Sequence, residues 1–162
     1  MAAVDYFLKL DGIDGESQDA KYAKWIQIES WSFGATQGGS FAYGGGGGAG
    51  KVQMQDFHFV MKLNRATPKL LELCAIGKHL PFAHLICRKA GGNQEEFLKI
   101  KFSDCLVSSY QTGGSGGSDV VPMDQISLNF SKIEFEYYEQ KPDGGVVLGG
   151  RAGWDQKKAV KV

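Results

Sequence analysis

Val52-Gln53-Met54-Gln55-Asp56-Phe57-His58-Phe59-Val60-Met61-Lys62-Leu63 decides the fold class, because its apolar residues change phase part-way along. Val52 and Met54 alternate with polar neighbours in one phase, whereas Phe57, Phe59, Met61 and Leu63 occupy the other. Period-two alternation is the mark of a half-buried strand. Since successive side chains point to opposite faces, a phase change needs a bulge or a strand whose two ends bury opposite faces. Two further stretches behave alike: Ile26 and Ile28 give way to Trp31 and Phe33, and Ile126, Leu128 and Phe130 hand over to Ile133, Phe135 and Tyr137. Long bent strands of this kind suit a small barrel, or a subunit that packs one strand end on its own core and the other on a neighbour.

Just upstream stands Ser40-Phe41-Ala42-Tyr43, followed by Gly44 through Gly48, Ala49, Gly50 and Lys51. Ordering such a run is costly, because glycine loses the most backbone freedom and buries no side chain in return. Gly45 to Lys51 spells G-x-x-x-x-G-K, and G-x-G-x-x-G fits at Gly45, Gly47 and Gly50. A polyglycine run satisfies any glycine pattern, however, and Val52 stands where a phosphate loop needs a Ser or Thr hydroxyl. A strand follows rather than a helix, so no helix N-terminus faces a phosphate. The run, about 38–51, reads as a flexible, extended interaction arm.

Outward from this centre the chain is strand-rich. Val4 to Leu10 forms a first strand with Val4, Tyr6, Leu8 and Leu10 on one face, and Glu16 to Lys24 is a polar loop. Phe82 to Lys89 and Glu96 to Tyr110 are further strands, the second kinked near Asp104, and another begins near Asp124. One helix is expected over about Pro68–Ile76, with Thr67 as N-cap, Pro68 at its first position, Leu70, Leu71, Leu73 and Cys74 on the apolar side and Gly77 ending it. Lys78 and His79 then sit where cations favour the dipole. The tail, about 141–162, is rich in glycine and is expected to be loosely ordered apart from Trp154. The fold class is therefore mainly β: a single domain over 1–162, a small closed or partly closed β-barrel of two sheets with one flanking helix.

Composition excludes several function classes. The 18 basic and 18 acidic side chains cancel, leaving no electrostatic footprint for nucleic acid or for a membrane surface. No stretch approaches the roughly 18 apolar residues of a membrane-spanning helix, so membrane insertion is not expected. The N-terminus has no secretory-signal pattern. Cys74, Cys87 and Cys105 lack C-x-x-C spacing and read as buried reduced thiols. His58, His79 and His84 show no metal-ligand spacing, so neither metal nor cofactor is expected. A Cys74–His79 nucleophilic pair fails because Cys74 lies on the helix's apolar side, where a neutral thiol is the default. No serine sits in a G-x-S-x-G elbow. What remains is an assembly or binding role rather than catalysis. A carbohydrate-binding β-module is the alternative, suggested by the glycine loops with Tyr43, Tyr110 and Trp154, although no acidic calcium loop accompanies them.

Taken in order, Gly15-Glu16-Ser17, Trp31-Ser32-Phe33-Gly34, the Gly44–Lys51 run, Thr67-Pro68, Gly77-Lys78-His79, Arg88-Lys89-Ala90-Gly91-Gly92, Val107-Ser108-Ser109, Thr112 to Gly117, Leu128-Asn129-Phe130 and Gly153-Trp154 span nearly the whole chain. This ordered set resembles the haemolysin-coregulated protein (Hcp) family, the inner-tube subunit of bacterial type VI secretion. The resemblance implies a β-barrel assembling into hexameric rings, which stack head-to-tail into a tube capped by a spike protein and surrounded by a contractile sheath. It also implies small effector proteins in the lumen, synthesis in the cytoplasm without a cleaved signal, and export by the type VI machine. On that footing Phe41, Tyr43, Gly44, Gly45, Gly46, Gly47, Gly48 and Lys51 are candidate inter-subunit or inter-ring contacts, and Ser32 is a candidate lumen position.

Overall fold

The computed structural model describes residues 4–38, 51–117 and 121–162. Along the chain run β1 (Val4–Leu10), β2 (Ile26–Ile28), β3 (Ser30–Ser32), β4 (Ala35–Gln37), β5 (Val52–Met54), β6 (Phe57–Lys62), α1 (Thr67–Ile76), β7 (His79–Lys89), β8 (Glu96–Gly113), β9 (Met123–Gln140), β10 (Val146–Asp155) and β11 (Val160–Lys161). The main sheet has the order β11-β10-β9-β8-β7-β1-β2, with β6 paired to β9 and β3 to β6. β4 and β5 form a separate two-stranded ribbon. All neighbouring pairs are antiparallel, so short turns suffice as connections.

The phase changes explain how the sheet curls. β2 pairs with β1 whereas β3, one residue later, pairs with β6, and between them the Glu29 amide donates to the Val60 carbonyl at 2.8 Å. The two margins thus meet through one bent segment, giving a partly closed barrel. Between β5 and β6 the chain leaves the small ribbon, and the Gln55 amide donates to the Gly34 carbonyl at 2.8 Å. In β8 and β9 the turnover is shared. Ser103 faces Lys132 and Cys105 faces Phe130, so Asp104 and Ser131 lie opposite each other where both strands invert. Asp104 takes a left-handed φ of 54°, and the Ser131 hydroxyl donates to the Ser103 carbonyl. Either side of this point Phe102, Cys105, Phe130 and Ile133 all enter one core. At its centre Phe102 lies 4.7 Å from Phe57, 4.8 Å from Phe130 and 6.2 Å from Phe33, centroid to centroid.

The helix caps one end of the barrel through buried Leu70 and Leu73, while Leu71 and Ile76 are exposed. Its N-terminus differs from the expected one. Ala66 occupies the cap position and Thr67 is the first helical residue, because the Thr67 hydroxyl is drawn inward to donate to Asp124 Oδ2 at 2.6 Å. The Asn64 carboxamide instead accepts from the Ala66 amide at 2.8 Å. Gly77 ends the helix as expected, in a left-handed conformation (φ 65°) whose amide donates to the Leu73 carbonyl. His79 does not attend the helix dipole; it opens β7 and its Nδ1 lies 2.8 Å from Asp104 Oδ1.

The tail expected to be loose is structured instead. β10 pairs with β9 from Val146↔Gln140 to Asp155↔Lys132, with an irregularity between Leu148 and Gly150, and β11 folds back on its end. Pairing to an existing strand supplies the order that Gly149, Gly150 and Gly153 do not supply by propensity. The turn beyond β10 is pinned to the barrel: the Gln156 amide donates to the Ser131 carbonyl, its side chain to the Phe130 carbonyl, and Lys157 pairs with Asp104. The Lys157 hydrogen bond, then that of His79, pushes the Asp104 carboxyl down to about 2. A carboxyl depressed on folding stabilises above its unfolded pKa, and that contribution is lost as the pH falls through the folded value. Hydrogen exchange of the turn amides is therefore expected to accelerate between about pH 4 and pH 2 relative to the β8–β9 amides. Asp104→Asn should already show the faster exchange at neutral pH; equal protection in the two proteins would refute the latch.

On the outer side of β1 and β7, the 16–24 loop is a strap rather than a free turn. Arg88 is 5% exposed and donates to Asp19 Oδ2 at 2.7 Å and Asp5 Oδ2 at 3.3 Å, while lying over Phe7 and Tyr22. This Arg88 contact holds the Asp19 carboxyl below its ordinary range. Phe7, Tyr22 and Ile86 form a small second core beneath the strap. Cys87 and Cys105 are buried and unpaired, and burial pushes both thiols up to about 12, which removes them as nucleophiles at neutral pH. Cys74 is half-buried rather than buried.

Candidate functional site

The chemistry of this protein lies on its outer faces. Because β8 and β9 invert at Asp104 and Ser131, the residues that face away from the core change character along the strands. On the half built from β1, β7, the start of β8 and the end of β9, the outward residues beyond Phe7 and Ile86, which the strap covers, are mostly ionic. Lys9, His84, Lys101 and Glu134 stand opposite one another across four strands, and Lys99, Glu136 and Arg151 form a parallel row. Arg151 and Tyr138 both donate to Glu136 Oε2, and Tyr138, then Arg151, hold that carboxyl below its ordinary range. His84 sits half-buried in this row; burial, then the charges of Lys101 and Lys9, lower its pKa.

On the other half, built from β3, β6, the start of β9 and the end of β8, the outward residues are nearly all uncharged. Ser32 faces His58, His58 faces Ser127, and Ser127 faces Ser109, forming one polar row across four strands. His58 Nδ1 and Ser127 Oγ are 3.1 Å apart. The next row holds Ser30, Val60, Gln125 and Gln111. Charges appear only at the margins and are engaged there. Asp56 accepts from Ser108 and Asn129, and Lys62 lies 3.8 Å from Glu29. Beneath this face lie Phe57, Phe59, Ile126 and Leu128, fully buried, so the alternation of β6 and β9 fixes which side chains point outward.

Ser32, the candidate from sequence, is thus exposed and belongs to a four-strand row that the sequence does not display, since its partners lie far away along the chain. Lys51 is exposed at the start of the small ribbon. Phe41, Tyr43, Gly44, Gly45, Gly46, Gly47 and Gly48 lie outside the described residues. Tyr110 and Trp154 are half-buried and pack against the core, and the Tyr110 hydroxyl donates to Asp124 at 3.1 Å. Among the described residues no three His, Cys, Asp or Glu side chains are grouped to hold a metal. No helix among them is long and apolar enough to cross a membrane.

Two residues with large structural roles escape a reading by motif. Arg88 stands at the end of the apolar run Leu85-Ile86-Cys87, and Asp124 shares the buried phase of Ile126, Leu128 and Phe130. A polar residue in an apolar phase is the signal that marks both.

Fold and faces together define a partly closed β-barrel with one largely ionic and one largely uncharged outer face. The family described as "Type VI secretion system effector, Hcp" matches residues 7–137. Protein hcp1 of Pseudomonas aeruginosa is 45% identical over 161 residues, covering 98% of this chain and 99% of that protein. A solved type six secretion system protein has 31% identity and a TM-score of 0.91, over 99% of this chain and 100% of the other. Hcp1 from Salmonella typhimurium has 34% identity and a TM-score of 0.78, again over 99% and 100%. The chain belongs to the Hcp family of type VI secretion system proteins.

Proposed function

We propose that the chain is the structural tube subunit of a type VI secretion system. Copies join head-to-tail into hexameric rings, and rings stack into an inner tube with a spike protein at its tip, a contractile sheath around it and small effectors in its lumen. Synthesis is cytoplasmic, and export is by the type VI machine itself. A head-to-tail contact uses two different patches of one chain and closes into a ring when the rotation fits. The observation that carries this reading is the ribbon formed by β10, β11 and the end of β9. Tyr137 and Val147 are exposed on one face of this ribbon and Leu148, Val160 and Val162 on the other, so neither face has a covering layer in the single chain. A terminal ribbon with apolar side chains exposed on both faces and an unpaired edge along most of β10 is suited to being covered by a neighbouring copy. The Phe41-to-Lys51 arm is the second contact, ordered against an adjacent subunit or the next ring.

Native mass spectrometry with electron microscopy tests both contacts. Leu148→Asp and a deletion of Gly44 to Gly48 are each expected to reduce the ring fraction at least about tenfold while leaving the barrel's unfolding midpoint nearly unchanged. Rings of normal abundance from Leu148→Asp would reject the ribbon contact, and from the deletion would reject the arm.

A further inference from the structure

We infer that the polar depression beside the 16–24 strap is a binding site for a small oxyanion, a phosphate or carboxylate group. This goes beyond the tube reading and does not rest on it. The depression, of about 390 Å³, lies where three separate segments meet: the strap, the turn between β7 and β8, and the β9–β10 hairpin. Arg88 of β7 also lines it and is only 5% exposed. Its two terminal nitrogens donate to Asp19 and Asp5, but its Nε, also buried, meets no acceptor among the described residues. A buried charged donor left unmade is costly, so this position suits an acceptor that the chain does not itself supply.

The balance of donors and acceptors around the depression fixes the sign of the ligand. Asp19 Oδ1 accepts from the Lys21 and Tyr22 amides and from Arg88, and Oδ2 accepts from Arg88 again. Glu96 holds Lys21 on one oxygen at 2.6 Å and Lys99 on the other at 3.1 Å. These acceptors are engaged. Each ammonium carries three donors and gives one to Glu96, so Lys21 and Lys99 keep donors in reserve, beside the Asn93 and Gln94 carboxamides that also line the site. Spare capacity therefore lies with cationic donors, and a ligand made of acceptor oxygens meets it. Glu95 is the one lining carboxylate with no cation paired to it among the described residues, and it opposes an anion. A cationic ligand is disfavoured, because it would gain Glu95 alone, crowd two lysines and leave Arg88 Nε without an acceptor.

The test follows hydrogen exchange of the full chain by mass spectrometry in a phosphate-free buffer at neutral pH. Inorganic phosphate is the probe, and sodium chloride at matched ionic strength is the control. A bound oxyanion ties the strap to the β7–β8 turn. Exchange of the strap amides is therefore expected to slow at least about threefold, saturating at roughly 1–10 mM phosphate, while the β8–β9 amides stay unchanged. Neither Lys21 nor Lys99 is buried, so their variants should fold. Measured against their own phosphate-free baselines, Lys21→Gln and Lys99→Gln should each raise the half-saturating concentration about fivefold, and Glu95→Gln should lower it about threefold. N-acetylglutamate, as a second probe, separates the sources of the anion. Saturation below the phosphate concentration supports a protein carboxylate as occupant, and the reverse order supports free phosphate. Slowing that chloride reproduces, that grows with phosphate without saturating, or that persists unchanged in both lysine variants would overturn the inference. So would a Glu95→Gln protein that binds phosphate no more tightly than the wild-type chain.

Discussion

Truncating Phe102 to alanine is expected to lower the free energy of unfolding by about 4 kcal/mol, the largest loss for a single side chain in this barrel. Phe102 is fully buried on β8 and touches aromatic rings from three other segments, Phe57 on β6, Phe130 on β9 and Phe33 beyond β3. It also lies two residues before the inversion at Asp104. Its removal leaves a cavity that rigid ladders on both sides cannot collapse into, and adds the loss of ring pairing worth about 0.5–1.5 kcal/mol per pair. In a chain of this size the melting temperature should fall by roughly 10 °C. Urea unfolding at fixed protein concentration measures it, so that assembly does not mask the change. Phe102→Leu, which keeps most of the volume, should cost about half as much. A loss below about 1.5 kcal/mol for the alanine variant would mean that the aromatic cluster is not the organising core.

Asp124→Ala is the second large effect, at about 3 kcal/mol. Asp124 is fully buried, and its two oxygens accept from hydroxyls on two different elements, Thr67 at the start of α1 and Tyr110 on β8. Alanine strands both hydroxyls, one of them at the point where the helix enters the barrel. The expected signature is local as well as global: limited proteolysis near Arg65 should become faster before the sheet unfolds. Thr67→Val and Tyr110→Phe should each cost about 1 kcal/mol, and their effects should be mostly absent in an Asp124→Ala background. Full additivity of these changes would show that the three groups do not act as one network.

Much of this architecture is legible in the chain because its rules are local. Val4–Leu10, the Pro68-to-Gly77 helix and the three phase changes follow from alternation, proline and glycine alone. The C-terminal strand is not legible, since Gly149, Gly150 and Gly153 argue against a strand and only the ladder to β9 overrides them. Nor is the role of Thr67, which sequence places as a helix cap; a buried carboxylate 57 positions away decides its rotamer. For the site, the exposure of Ser32 could be anticipated from its place between Trp31 and Phe33. Its row could not, because Ser127 reaches His58 only through the register of β6 on β9. Register is a property of pairs of strands, and a single strand's pattern fixes its face but not its neighbour.

The shared inversion of β8 and β9 bears on how the folded chain responds to force. The ladder between them runs from Leu98↔Tyr137 to Gly113↔Met123 and crosses the inversion without losing its pairing on either side. Antiparallel hydrogen bonds lie across the strands. A pull along β8 or β9 therefore shears many of them at once, so they resist together. β10 differs, being held along most of its length by one edge only, with the returning segment reaching no further than Gly153, Trp154 and Asp155. Traction on Val162 would open that hairpin and then unzip β10 from β9 one bond at a time. The barrel is thus mechanically stiff along its two long strands and yields first at its C-terminal ribbon.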